Sequence, residues 1–125
     1  MLSKSTFLAL VLAFGVVTAT GVVAKDKEFA WGAIAVDTQK PDRDPAYGIG
    51  GGDNEDEARS NAIKFCKESG GKECKPVVAY QECGAYAASK KGGGWGMNTS
   101  KKTAEAKAMS GCDDDSCKIV VSDCN

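Results

Sequence analysis

The sequence predicts an α+β fold: an antiparallel sheet of about six strands with two helices packed on it, arranged as a pseudo-twofold ββαβ duplication and stapled by disulfides. Three observations support this prediction. Short motifs return in the same order in both halves of the chain, apolar runs of strand length alternate with helical patterns, and six cysteines fall within 125 residues.

The repeat rests on four short motifs that each occur twice. The matched segments are 32–35 with 84–87, 47–48 with 95–96, 58–66 with 104–112, and 74–78 with 117–121. A single short match arises easily by chance, but four matches in the same order indicate an internal duplication. Because there are only two copies, at about 31–82 and 83–124, we expect a single domain over 25–125.

The first 24 residues have the pattern of an export signal. Lys4 precedes an apolar run over 7–23, and small residues ending at Ala24 provide a cleavage site. A retained membrane anchor is the alternative, because the run is nearly long enough to span a bilayer, but Thr18 and Thr20 dilute it. We therefore expect a cleaved signal peptide, a secreted or periplasmic mature chain, and no stable membrane anchor.

An even number of cysteines in a small exported protein indicates a disulfide framework. Two pairs follow from the repeat, in which the end of each helix is joined to the start of the next strand. The two remaining cysteines then pair and tie the halves together. The resulting pairs are Cys66 with Cys74, Cys112 with Cys117, and Cys83 with Cys124. Zinc is the alternative use of cysteines, and the chain has no histidine and no C-x-x-C pair to support it.

Apolar and turn patterns place similar elements in each copy. The first copy is predicted to contain strands over 31–36, 46–50 and 74–80, a break at 51–54, and a helix over 55–67. The second copy is predicted to contain strands over 84–89, 95–98 and 118–122, a turn over 90–94, and a helix over 101–110. Asn54 and Glu57 fit a capping box at the first helix. The apolar face of that helix is predicted to hold Ala58, Ala62, Phe65 and Cys66.

Charge and composition exclude several classes of function. The formal net charge is −1, and lysines alternate with acids along the chain, so neither nucleic acid nor an anionic membrane surface is the expected partner. The absence of histidine removes Ser-His-Asp, Cys-His and His–metal chemistry. Paired cysteines leave no thiolate nucleophile. We expect no catalytic residue, no cofactor and no metal.

Three clusters have both a chemical and a structural interpretation. Asp53 and Glu57, with two acids between them, could form a catalytic pair, but acids at a helix start are stabilised by the helix dipole whatever the function. The glycines over 48–52 could cradle a phosphate, but an acid follows them and a tight turn also explains them. The acids over 113–115 lack the spacing of a calcium loop. We favour the structural interpretation in each case.

Aromatic residues beside glycines give the one positive indication of binding. Trp95 lies between Gly94 and Gly96, whose missing side chains leave its ring uncovered. Exposed Trp and Tyr are favoured anchors of interfaces, although aromatic rings packed on small residues in a core are the alternative. The candidate interaction surface consists of Lys90, Lys91, Trp95 and Tyr47.

The four motifs, each repeated once after a predicted export signal, resemble the sequence pattern of the bacterial family catalogued as domain of unknown function 4189. The resemblance covers nearly the whole mature chain, from Trp31 to Cys124. It implies a secreted or periplasmic α+β domain with disulfides and with no assigned catalytic residues. Some members of the family look like exported effectors that act on other cells.

We therefore expect an exported, non-enzymatic protein that binds another protein in the cell envelope or outside the cell. Its role would be that of an effector, an inhibitor or an immunity-like factor, and we expect it to be a monomer. The alternative from another class is a small carboxylate-based hydrolase of the cell envelope.

Overall fold

The computed structural model describes residues 28–39 and 44–125. Along the chain the elements are β1 (Trp31–Asp37), β2 (Tyr47–Gly52), α1 (Glu55–Glu68), β3 (Cys74–Tyr80), β4 (Cys83–Ser89), β5 (Gly92–Asn98), α2 (Lys101–Cys112) and β6 (Lys118–Cys124). The predicted signal peptide over 1–24 lies outside the described residues, as do residues 25–27 and 40–43. Within the described ranges, no helix is long and apolar enough to cross a membrane.

The strands form two antiparallel sheets of three strands, in the orders β2-β1-β3 and β5-β4-β6. The α+β class, the six strands and the two helices are confirmed, but the strands are divided between two sheets. The reason is that the central strands are apolar on both faces. Ile34, Val78 and Tyr80 of the first sheet are buried together with Val121 of the second. One continuous sheet with both helices on one face would leave these side chains in water.

The outer face of each sheet is lined by small residues and covered by a helix. Ala33 and Ala35 of β1 pack on Ala58 and Ala62 of α1. Alanines of β4 pack on α2 in the same way. The molecule is therefore layered as helix, sheet, sheet and helix, with the bulky core between the sheets and an alanine-rich core under each helix.

Alternate glycines in β2 and β5 let the helices lie directly on the strands. A Cβ atom at Gly48 would overlap the backbone nitrogen of Cys66 in α1, and one at Gly94 would overlap the backbone nitrogen of Cys112 in α2. Glycine is required where two backbones approach this closely. Each helix is thus seated on an edge strand of its sheet.

Two element boundaries predicted from glycine are wrong for this reason. β2 extends to Gly52, into the predicted break at 51–54, and β5 begins at Gly92, inside the predicted turn over 90–94. The turn itself contains only Lys90 and Lys91. In composition, a strand pressed against a helix resembles a loop, because both are rich in glycine.

The strand registers define which positions of the two copies are equivalent. Ile34 of β1 pairs with Ile49, and Tyr86 at the same place in β4 pairs with Trp95. Trp95 is therefore equivalent to Ile49, and the predicted match of Tyr47 with Trp95 is wrong by two residues. Both central strands also shift register at the same step against their third strand, as a duplication requires.

The three disulfides are Cys66–Cys74, Cys83–Cys124 and Cys112–Cys117, the pairs that the repeat predicts. The two short bridges join a helix end to the next strand. The long bridge differs from expectation, because Cys83 and Cys124 are opposite each other in β4 and β6. It therefore staples the second sheet and does not tie the halves together. Three disulfides in so small a domain indicate an oxidising environment.

Helix α1 begins as predicted and differs in one side chain. Asn54 Oδ1 accepts a hydrogen bond from the backbone N–H of Glu57 at 2.9 Å. Phe65, predicted on the apolar face, is 43% exposed, whereas the three other residues predicted there are buried. Gly48 lies against the helix backbone at this position and leaves no room for a ring. The ring faces outward, with Lys64 Nζ 5.9 Å from its centre.

Candidate functional site

The exposed apolar side chains of the second sheet include two on β5, which is an edge strand. Trp95 is 54% exposed and Met97 is 46% exposed. Gly94 and Gly96 face α2, so the alternating residues Trp95 and Met97 point to the opposite face of the sheet. The alternative that placed the Trp95 ring in the core is wrong.

The turn before β5 is fixed to the loop that follows α2. Lys90 and Lys91 are both exposed. The backbone N–H of Lys91 donates to Ser89 Oγ at 3.1 Å, and the Ser89 hydroxyl donates to Asp114 Oδ2 at 2.8 Å. The backbone N–H of Ser116 and the two serine hydroxyls donate to this carboxylate and hold the pKa of Asp114 below its usual range. The two lysines are therefore presented on an ordered turn.

Tyr47 and Lys90 line one cavity of about 430 Å³ between the first and second sheets. Lys118 and Val120 of β6 line it as well. Tyr47 is 43% exposed at this place. Trp95 lies outside this cavity, on β5, so the predicted interaction surface is divided into two separate places.

A larger cavity of about 610 Å³ opens between β2 and β6 at their other end. Asp123 of β6 and Glu57 of α1 line it, together with Phe29 and Phe65. Sequence analysis missed this site. Phe29 precedes the first strand, and its ring lies over Gly51. No local sequence pattern predicts this contact.

Asp123 is held by a buried tyrosine at the centre of the molecule. Tyr80 Oη donates to Asp123 Oδ2 at 2.6 Å. Burial raises the pKa of Tyr80, and the hydrogen bond and negative charge of Asp123 raise it further. The Tyr80 ring also lies against Gly32 and Gly84, where a Cβ would overlap it. These two glycines are equivalent in the two copies, so one ring fills the space between both central strands.

The clusters considered for chemistry are arranged as follows. Asp53 is exposed ahead of α1, while Glu57 lines the larger cavity, so these two acids are not brought to one site. The glycines over 48–52 lie in β2, and the backbone of α1 occupies the space of a phosphate cradle. Asp114 accepts from serine hydroxyls, and no group of three or more Asp, Glu, His or Cys in the described chain is arranged to hold a metal ion.

These features define a class of small duplicated α+β sandwich, with two outer helices, three disulfides and cavities between edge strands. The family model described as Domain of unknown function (DUF4189) matches residues 31–124, and the chain belongs to that family. The match spans both copies of the repeat. No curated protein and no solved structure matches this chain.

Proposed function

We propose that the protein is exported and acts by binding another protein in the cell envelope or outside the cell, as an effector, an inhibitor or an immunity-like factor. The observation that carries the proposal is the exposure of Trp95, which is 54% accessible on an ordered strand. A tryptophan ring is among the largest apolar surfaces a side chain has, and it is a frequent anchor where proteins meet. The predicted export signal over 1–24 and the disulfides support action in an oxidising compartment.

The surroundings of Trp95 also favour a binding surface. Met97 lies beside it on the same face, and β5 is an edge strand. Because β5 has a neighbouring strand on one side only, a partner that covers the ring can also approach the main chain of this strand. Pairing with an edge strand is a common way to recognise an extended segment.

The test is capture of a partner from an envelope extract with the oxidised protein, expressed from the full chain. Trp95→Ala should weaken binding of the captured protein about thirtyfold, the effect of removing an interface anchor. It should change the free energy of unfolding by less than about 1 kcal/mol. Met109→Ala is the matched control, because Met109 is a similarly exposed apolar side chain on α2.

Two results would contradict the proposal. A large loss of stability with unchanged affinity would show that Trp95 contributes to packing. Failure to capture any protein from envelope, culture medium or neighbouring-cell extracts would contradict the proposed role in protein binding.

A further inference from the structure

The two cavities lie at opposite ends of the edge strands β2 and β6, and the space along these two strands is here called the β2–β6 cleft. Tyr47 of β2 and Lys118 of β6 line one end, and Ile49 of β2 and Asp123 of β6 line the other. The two strands therefore run in the same direction along the cleft. From Lys118 to Asp123 an extended strand advances about 16 Å, the length of roughly five residues of bound peptide.

The opposite side of the sandwich is filled more completely. There β3 packs on β5, and the cavity is about 240 Å³. Gly32 pairs with Tyr80 and its equivalent Gly84 pairs with Asp123, so Tyr80 and Asp123 occupy equivalent positions. The buried ring of Tyr80 occupies this position in the first copy, whereas the short carboxylate of Asp123 occupies it in the second and fills less space. The β2–β6 cleft therefore results from a difference between the copies and is not a necessary feature of the fold.

One end of the cleft is acidic and aromatic. Glu28, Glu57 and Asp123 line it, and its lining residues in the described chain include no lysine or arginine. Phe29 and Phe65 lie at the same end. Carboxylates beside aromatic faces attract a lysine or arginine side chain through charge and through the ring quadrupole.

The other end of the cleft is basic. Lys90 and Lys118 line it, with Asp44 as the single acid among its described lining residues. Val120 and Tyr47 give this end an apolar floor. The cleft thus carries opposite charges at its two ends.

We propose that the β2–β6 cleft binds an extended peptide segment of a partner protein, with a basic side chain at the Asp123 end and an acidic side chain at the Lys118 end. Apolar side chains of the peptide would lie between them, on Ile49 and Val120. The choice of occupant rests on this charge complementarity and on the length of the cleft. The inference rests on the proposed role in protein binding, but it uses a surface separate from Trp95.

The experiment is a selection of random peptides of about eight residues, displayed on phage, against the oxidised protein expressed from the full chain. The selected peptides are expected to carry a basic and an acidic residue at opposite ends with apolar residues between them. In the double variant Glu57→Lys, Lys118→Glu, whose two positions are both exposed, the described lining side chains sum to one negative charge at each end. Selection on this variant should therefore no longer enrich peptides with a fixed charge order.

A synthetic peptide from the first selection should bind the double variant about tenfold more weakly than the natural protein, and its affinity should fall with added salt. The control exchange is Asp56→Lys, Lys102→Glu, which makes the same charge changes at exposed positions outside both cavities. It should leave the affinity and the selected pattern unchanged.

Three outcomes would overturn this inference: no enriched peptide, enriched peptides without the charge pattern, and peptides unaffected by the charge exchange. Dimerisation of the protein that is abolished by the exchange would also overturn it, because a second copy would then be the occupant. If Trp95→Ala abolishes binding of the selected peptides and the charge exchange does not, the cleft is not their binding site, whereas the proposed function is supported. The two proposals therefore fail in different ways.

Discussion

The seating of α2 on β5 can be tested by adding one methyl group. Gly94→Ala would place a Cβ onto the backbone nitrogen of Cys112 and the carbonyl oxygen of Ala108. Neither atom can move alone, because both belong to the helix, so α2 must shift as a unit. Overpacking costs about 1–3 kcal/mol, and a contact with main-chain atoms should lie near the upper end. Reduced freedom of the unfolded chain offsets about 0.4–1 kcal/mol. We expect a net loss of about 2 kcal/mol.

The control is Gly92→Ala, two residues earlier in the same strand. A Cβ at Gly92 meets nothing within 4 Å, and neither Gly92 nor Gly94 has a positive φ. Gly92→Ala should therefore leave the free energy of unfolding unchanged or raise it by about 0.5 kcal/mol. Urea unfolding with the disulfides intact measures both changes. In a thermal scan, the loss at Gly94 should appear as a midpoint about 10 °C lower.

The two variants make the same substitution on the same face of one strand. Any difference between them therefore reports the contact with α2 and not the preference of alanine or glycine for a strand. If Gly94→Ala were tolerated as well as Gly92→Ala, α2 would not lie on the β5 backbone. If both variants lost about 2 kcal/mol, the cause would be the strand itself and not the helix.

Three further predictions concern the core, the disulfides and pH. Tyr80→Phe removes the hydrogen bond to Asp123 and should cost about 1.5–3 kcal/mol in urea unfolding; a loss below about 0.5 kcal/mol would refute a stabilising role. Replacing both cysteines of the Cys83–Cys124 bridge with alanine should cost about 4 kcal/mol, against about 2 for the short bridge after α2, because the long bridge closes the larger loop; equal losses would contradict this. Folding lowers the pKa of Asp114, so its ionised form contributes stability above the unfolded pKa, and this contribution is lost as pH falls through the folded pKa. Below about pH 4 the urea midpoint should fall more steeply for the natural protein than for Asp114→Asn, and parallel profiles would contradict the assignment.

The helices and the disulfide pairs could be predicted because their determinants are local and are given twice. Asn54 caps α1 through its own side chain, and Ala58, Ala62 and Cys66 repeat at helical spacing. The short bridge Cys66–Cys74 joins the end of that helix to the next strand. Local patterns of this kind can be recognised in the sequence without knowing how the two sheets pack.

The division into two sheets and the β2–β6 cleft could not be predicted in this way. They depend on Tyr80 entering the space between Gly32 and Gly84, which are far apart in sequence. The false match of Tyr47 with Trp95 has a related cause. Both Tyr47 and Trp95 are followed by a glycine, and glycines recur at every second position of both strands, so several registers look alike until pairing with the central strand selects one. Alternating glycines in β2 and β5 were the available signal of a close helix contact.

The two copies differ most where the packing leaves room for difference. Facing the helices, equivalent positions have kept the same small residues, as Gly48 and Gly94 have, because any Cβ there would overlap helix backbone. On the inner face no such limit applies to the edge strands. There Ile49 corresponds to the exposed Trp95, and the buried Tyr80 corresponds to Asp123. Both proposed binding surfaces arise from these two exchanges. Substitutions that restore the symmetry, such as Trp95→Ile, should therefore weaken partner binding at the substituted surface while leaving the helix-covered faces of the fold intact.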